Sequence, residues 1–347
     1  MEITNLGAED GLPPVDWAAV TEKLDAGSAP APEAHNARTT WLTTLNEDGS
    51  PHVTAVGAVW LDIDDDADLD LVVANMDGDA NGLFRNDNGK FTDVAESAGI
   101  AWGGRAPKDP ANGTVRVCAA DVDLDGRLDL FFANYGPNGL FLNRGKGVFE
   151  DVSKAWGVAI DGRYDTCAFA DIDHDGRLDL YVNGTYTANK QFPDYLFRNT
   201  GTSFQDATPD NVRALAADHG VAWADAEGDG DLDLALTGVR PDGMHLLLRN
   251  GSTGAGRSIQ VRVLDGRGRA TRAGAEVRAY AAGTRRLLGA GLVDTGSGYD
   301  AQNDLPVHVG IGTTEPVNVE VSFSGAGNKF TTIARVTPGR TVTVQVK

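Results

Sequence analysis

Two cysteines, Cys118 and Cys167, are all that the 347 residues contain, so no disulfide framework can carry the fold. Each lies just before a repeated acidic stretch, in an apolar segment that reads as a strand, and both are expected to be buried, reduced thiols. Aromatic residues make up only 7% of the chain, which together with 43 glycines suits many short strands joined by tight turns. No apolar run approaches the length of a membrane helix. The amino terminus, residues 1–6, has neither the basic patch nor the apolar stretch of a signal peptide, so none is expected there. Base is scarce too: 30 Lys and Arg against 50 Asp and Glu leave a formal charge of −20. A nucleic-acid binder needs clustered base to displace counterions from phosphate, so nucleic acid is not an expected partner. The same sign argues against an anionic membrane surface, and membrane insertion is not expected. His35, His52, His174, His219, His245 and His308 are scattered, without zinc spacing, and no nucleophile–base pairing stands out. No catalytic residue is expected.

What the chain does have is an acidic decapeptide that recurs about every fifty residues. Residues 121–130 read DVDLDGRLDL and residues 171–180 read DIDHDGRLDL; looser copies are DIDDDADLDL at 62–71 and DAEGDGDLDL at 225–234. Within a tight loop, alternate positions can point the same way. Positions 1, 3, 5 and 9 are carboxylates in every copy: Asp62, Asp64, Asp66 and Asp70; Asp121, Asp123, Asp125 and Asp129; Asp171, Asp173, Asp175 and Asp179; Asp225, Glu227, Asp229 and Asp233. The position 7 backbone carbonyls of Asp68, Arg127, Arg177 and Asp231 can turn inward beside them. An all-oxygen donor set of this size suits Ca²⁺, whose coordination is more flexible than that of Mg²⁺. Without a cation such convergent carboxylates would repel one another. Up to four Ca²⁺ ions are therefore expected, the first site being the weakest because Ala67 stands where the other copies have Gly126, Gly176 and Gly230.

An EF-hand would need a bidentate Glu at position 12 and flanking helices. Position 12 is instead Val73, Phe132, Val182 and Leu236, each inside a strand-like run, so the loops join strands and the ions are structural. His174, at an even loop position, is expected to point outward. His308 is expected to make a structural hydrogen bond, and Tyr299, Gln302 and Asn303 to sit in a tight turn that satisfies the backbone.

Around each decapeptide the pattern repeats: a short apolar segment before it, an apolar strand after it, then a third strand ending LFRN, LFLN, LFRN or LLRN at 83–86, 140–143, 196–199 and 247–250. Three repeats add a fourth piece beginning at Phe91, Phe149 or Phe204. Four short antiparallel strands per unit make a propeller blade. The expected fold is all-β: a propeller of about four to five blades, either a closed ring or an incomplete arc, over residues 58–250, followed by a smaller β-sandwich-like domain over 251–347. Strands are expected there at 258–264, 275–281, 307–311, 317–323 and 342–346. Residues 1–57 read as an amphipathic helix at 15–24, capped by Asp16, and a hairpin from strands at 39–45 and 52–60.

The repeats, with their LFxN and FxDV endings, resemble FG-GAP/VCBS-type repeats, which build propellers such as the integrin α-subunit head. Residues 272–277 (RAGAEV), 296–303 (GSGYDAQN) and 307–312 (VHVGIG) resemble the ASPIC/UnbV domain. The combination is similar to cartilage-acidic-protein-like proteins and to a protein of bacterial enediyne pathways. It implies a calcium-binding binding or adhesion module that meets a protein or glycan ligand at its propeller loops. The alternative is a tailoring enzyme or accessory protein of a bacterial natural-product pathway. The family also implies secretion. Residues 16–60 resemble a fragment of a split-barrel flavin or deazaflavin oxidoreductase of the pyridoxamine-phosphate-oxidase type. The later barrel strands have no counterpart, so a flavin site is not expected there; a fused remnant or a recruited hairpin is.

Overall fold

The computed structural model describes residues 41–45, 51–55 and 57–345, apart from positions 65, 67, 77, 103–111, 188, 216–219, 240–243, 252–256, 265, 267, 269–273, 294–302, 304–305 and 324–328. The amino-terminal helix at 15–24, Ala67, Tyr299 and Gln302 lie outside the described residues. The hairpin is present as β1 (Trp41–Leu45) and β2 (Pro51–Ala55), paired antiparallel with Leu45 opposite Pro51. The run at 52–60 is divided: its second half, β3 (Gly57–Leu61), pairs with the strand beyond the first acidic loop.

The fold is all-β, in several sheets. Strands β3, β4 (Asp70–Ala74), β5 (Gly82–Asp87) and β6 (Lys90–Asp93) form an antiparallel sheet in sequence order. A four-residue helix, α1 (Ala95–Ala98), follows. The same meander recurs in β7 (Gly113–Ala120), β8 (Asp129–Pro137), β9 (Gly139–Asn143) and β10 (Phe149–Asp151). It recurs again in β11 (Asp161–Ala170), β12 (Asp179–Gly184), β15 (Tyr195–Asn199) and β16 (Phe204–Asp206), with a small ribbon of β13 (Tyr186–Thr187) and β14 (Lys190–Gln191) inserted. The start of β11 also pairs with the end of β8, joining these two meanders into one sheet. After helix α2 (Asp210–Arg213) the fourth meander has three described strands, β17 (Val221–Ala224), β18 (Asp233–Val239) and β19 (Met244–Leu248). Each acidic loop thus links the first strand of a meander to the second.

Successive meanders pack face to face. Val59, Leu61, Val72 and Leu83 of the first meet Val117, Leu130, Phe132 and Phe141 of the second. The other face of the second, with Cys118, Phe131 and Leu142, meets Cys167, Leu180, Val182 and Phe197 of the third. The third presents Ala168, Ala170 and Tyr181 to Val221, Trp223, Leu234 and Leu236 of the fourth. Because β8 is covered on both faces, Leu130 to Ala133 is fully buried, which is why it reads as an unbroken apolar run without alternation.

Cys118 and Cys167 form a disulfide across the second of these interfaces, with their Cα atoms 6.1 Å apart. This corrects the expectation of reduced thiols. Cys118 stands three residues before its acidic loop and Cys167 four before its own. Side chains alternate along a strand, so the two cysteines face opposite sides of their sheets, and those are the sides that meet. The near-equality of their 49-residue separation to the repeat period was the signal in the sequence.

Beyond the repeats lie two more sheets. One is β20 (Ser258–Leu264) flanked by β23 (Val307–Gly310) and, in parallel, β26 (Thr341–Gln345). The other runs β22 (Leu287–Leu292), β21 (Glu276–Ala281), β24 (Val317–Phe323), β25 (Lys329–Val336). Ile259, Val261 and Val309 of the first share a core with Val277, Val319 and Phe323 of the second.

Candidate metal centre

Each acidic loop is built by its own carboxylates. At position 1, Asp121 accepts the N–H groups of Asp125 (3.0 Å) and Gly126 (2.9 Å), Asp171 those of Asp175 (3.1 Å) and Gly176 (2.7 Å), and Asp225 those of Asp229 (3.0 Å) and Gly230 (3.0 Å). In the first loop Asp62 accepts from Asp66 at 3.2 Å. At position 9 both carboxylate oxygens are engaged. Asp129 accepts from Val122 (2.9 Å) and Asn143 (2.8 Å), Asp179 from Ile172 (3.2 Å) and Asn199 (2.8 Å), and Asp70 and Asp233 repeat the pattern. At position 5, Asp66, Asp125, Asp175 and Asp229 accept the N–H of position 7.

The backbone needs left-handed residues to wrap this way. Gly126, Gly176 and Gly230 have φ of 90°, 93° and 96°, as expected for position 6. Position 4 is left-handed as well: Leu124 and His174, at φ 57° and 59°, bear strain that Gly228 avoids in the fourth loop.

Position 3 differs from the rest. Asp64 Oδ1, Asp123 Oδ1 and Asp173 Oδ1 are buried and have no hydrogen-bond partner. The second oxygens face arginines from the ends of the third strands: Arg144 lies 3.3 Å from Asp123, and Arg198 contacts Asp173, as Arg249 contacts Glu227. Around the orphaned oxygens the carboxylates converge. Asp62, Asp64 and Asp66, then Asp121, Asp123 and Asp129, then Asp171, Asp173 and Asp179 each place one oxygen apiece within 4.8 Å of the others. Asp125 and Asp175 stand beside these groups, paired with Arg127 and Arg177. Among the described residues, Asp225, Glu227, Asp229 and Asp233 make no such group. Burial pushes Asp121 and Asp179 up to about 7, Asp129 to about 8 and Asp171 to about 6, against backbone hydrogen bonds that pull the other way. A desolvated, donorless position 3 oxygen in each of three converging carboxylate groups fits a hard divalent cation.

Two features escaped the sequence reading. In the second, third and fourth meanders the asparagine closing the third-strand motif ties its meander to the preceding acidic loop: Asn143 Nδ2 donates to Ile63 O (3.1 Å), Asn199 Nδ2 to Val122 O (2.8 Å) and Asn250 Nδ2 to Ile172 O (2.8 Å). Its recurrence in every repeat was the available clue. Second, the carboxy-terminal sheets sit on the loops. Arg278 donates to Gly126 O (2.8 Å), Gly312 N to His174 O (3.0 Å), Arg257 to Asp173 O (3.2 Å), and Gln260 to Asp225 Oδ2 (3.1 Å). Gly310 approaches so closely that a Cβ there would overlap Asp171 Oδ2. His174 is accordingly buried, its ring 5.2 Å from that of His308, which corrects the expectation that it points outward. The left-handed backbone turns it toward the carboxy-terminal sheets. His308 does make the expected hydrogen bond, to Gly230 O at 3.0 Å, and burial with the neighbouring His174 pushes it down to about 4. Asn303 Oδ1 accepts from Trp223 N at 3.0 Å, so its amide serves the backbone of the fourth meander.

A family model described as FG-GAP-like repeat matches residues 62–132 and again 121–182, and one described as ASPIC and UnbV matches residues 266–347. Cartilage acidic protein 1 of Mus musculus is 29% identical over 264 residues, covering 73% of this chain and 39% of the relative. The Homo sapiens protein of the same name is 28% identical over 264 residues, covering 73% and 38%. The chain spans about two fifths of the length of these relatives. A lectin of Agrocybe aegerita that recognises non-reducing terminal N-acetylglucosamine aligns at 16% identity and a TM-score of 0.34, covering 82% of this chain and 81% of the lectin. A V. cholerae biofilm matrix protein aligns at 11% identity and 0.25, covering 88% and 69%. At those scores neither structure bears on ligand or fold. The chain carries FG-GAP-like repeats followed by a C-terminal ASPIC and UnbV domain, and is a distant homologue of cartilage acidic protein 1.

Proposed function

We propose that the chain is a binding module in which Ca²⁺ ions rigidify a four-bladed, propeller-like arc. A sandwich-like carboxy-terminal domain from about residue 251 caps it. The observation that carries this is the set of buried, partnerless position 3 oxygens of Asp64, Asp123 and Asp173, each inside a cluster of carboxylates. The donors in each loop are the carboxylates at positions 1, 3, 5 and 9 and the carbonyl at position 7. In the second loop these are Asp121, Asp123, Asp125, Asp129 and the Arg127 carbonyl; in the third, Asp171, Asp173, Asp175, Asp179 and the Arg177 carbonyl. The first loop, expected from Ala67 to be the weakest, offers Asp62, Asp64, Asp66, Asp70 and the Asp68 carbonyl and brings three of these carboxylates together; the weakest is instead the fourth, whose carboxylates form no such group among the described residues.

The contacts from Arg257, Gln260 and Arg278 occupy the acidic ends of the blades, so a protein or glycan partner meets the opposite ends. There Tyr186 is exposed and Arg163 lies over the Tyr135 ring. Aromatic groups with a polar surround are common anchors of such surfaces. The buried Cys118–Cys167 bridge favours an oxidising compartment.

An ion bound only by the folded state stabilises it by about 2.7 kcal/mol at a hundredfold excess over its Kd. Thermal melts in excess Ca²⁺ and in excess chelator are therefore expected to differ by several degrees. Superimposable melts would refute the metal reading.

A further inference from the structure

In the third acidic loop an arginine and the carboxylates it faces leave each other partly unsatisfied. Asp173 Oδ2 contacts Nη2 of Arg198, while Asp173 Oδ1 is buried without a hydrogen-bond partner. The same guanidinium reaches across to position 9, where its Nε lies 3.7 Å from Asp179 Oδ1. That distance makes an ion pair and no hydrogen bond, and Nε is itself buried and without a partner. One orphaned donor and one orphaned acceptor therefore belong to two side chains already in contact. A guanidinium donates in a fixed, planar fork, which limits how many of these oxygens it serves at once. The Arg198 side chain is 40% exposed, so its head has access to water. The other repeats vary the arrangement. Arg85 stands at the same place in its third-strand motif, yet its Nε and Nη2 turn to Asp87, at 3.2 and 3.0 Å. Arg144 divides itself between Asp123 (3.3 Å) and Glu150 (2.8 Å). Among the described residues, only Arg198 pairs with two of the proposed donors of a single loop.

We propose that Arg198 is an internal competitor for the cation of the third loop. It is the counter-ion of Asp173 and Asp179 while the loop is metal-free, and it withdraws to water when the ion binds. The inference rests on the metal reading above and adds to it the residue that sets this site's affinity. A divalent cation supplies the partner that Asp173 Oδ1 lacks, and the released Nε is hydrated, so both orphaned groups are satisfied together. Against this, the ion must displace a charge-assisted contact. Arg198 accordingly stabilises the empty loop and lowers its affinity for the ion. A unit charge about 6 Å from a divalent ion in water is worth roughly three- to tenfold in affinity, with and without salt screening.

The test is calorimetric Ca²⁺ titration of the metal-stripped full chain and of Arg198→Gln, Arg198→Lys and Arg85→Gln, with thermal melts of each in excess chelator. Arg198→Gln is expected to bind one ion roughly three- to tenfold more tightly and to melt below wild type in chelator. Its gain is expected to vanish when Asp173→Asn is added. Arg198→Lys keeps the charge and is expected to stay near wild type, as is Arg85→Gln. Unchanged binding in Arg198→Gln overturns the proposal, and so does weaker binding, which would make Arg198 a residue that orients Asp173 for the ion. An equal gain in Arg85→Gln also overturns it, because net charge alone would then explain both. A wild-type chain that takes up no Ca²⁺ removes the metal reading and this inference together. Normal wild-type uptake with an indifferent Arg198→Gln removes this inference alone.

Discussion

Replacing Asn199 with alanine isolates the link between neighbouring meanders. Asn199 is 2% exposed, and its Nδ2 donates to Val122 O at 2.8 Å in the preceding acidic loop and to Leu178 O at 3.1 Å in its own repeat. Its Oδ1 accepts from Gly201 N at 2.7 Å. The backbone bond from Asn199 N to Asp179 survives the substitution, so the loss is confined to the side chain. Stranding the buried Val122 carbonyl costs about 1–3 kcal/mol. At about 2.1 cal/mol/K of unfolding entropy per residue, 347 residues give roughly 1.4 °C per kcal/mol, so Asn199→Ala lowers Tm by about 3 °C if the loss is near 2 kcal/mol. Asn86 is the internal control: its Nδ2 bonds Leu69 O at 3.0 Å within its own repeat, half-buried, and among the described residues it reaches no other meander. Asn86→Ala is expected to cost less than about 1 kcal/mol. Urea unfolding of both variants at saturating Ca²⁺ measures the difference. Equal losses, or a larger one in Asn86→Ala, would refute the idea that these asparagines lock one meander to the next.

Removing the Cys118–Cys167 bridge by double alanine substitution opens a loop closed over 49 residues, worth about 4 kcal/mol in the chain-entropy account, and urea midpoints with and without reductant read it. A wild-type midpoint indifferent to reductant would mean that the bridge is absent. Gly310→Ala puts a Cβ into Asp171 Oδ2, so it should lift β23 from the third loop and speed proteolysis and amide exchange in residues 257–345, whereas unchanged protection would place the contact elsewhere. Asp173→Asn removes a charge from the third cluster and should weaken one Ca²⁺ by at least the roughly tenfold that even outer-shell partners are worth, with Asp206→Asn on the surface as the silent control; calorimetric titration distinguishes them.

Much of the architecture was legible because the decapeptide fixes its own geometry. Carboxylates at odd positions, glycine at position 6 and leucine at position 10 specify turn, charge and anchor together, and Leu130 and Leu180 are fully buried as a result. Strands β20 and β24 were read to the residue from their alternation. Strands β22 and β25 were missed: Gly289 and Gly291 break the apolar alternation of β22, and the run Lys329–Val336 alternates weakly. The site was less legible where it depends on packing between repeats. Nothing local to Asn199 says that Val122, 77 residues earlier, will be its acceptor. Nor does the sequence around His174 announce that the carboxy-terminal sheets will bury it. Equivalent positions in a repeat array come together in neighbouring units. That rule, applied to the two cysteines and the four asparagines, would have found both the bridge and the interlocking bonds.

The account stands or falls on the ions. Equilibrium dialysis of the metal-stripped chain against buffered Ca²⁺, with bound metal counted by atomic emission, measures them directly. The three carboxylate clusters predict about three ions per chain, falling to about two in Asp123→Asn. A chain that takes up no Ca²⁺ at millimolar free ion would contradict the central claim, leaving the loops as hydrogen-bonded turns and nothing more.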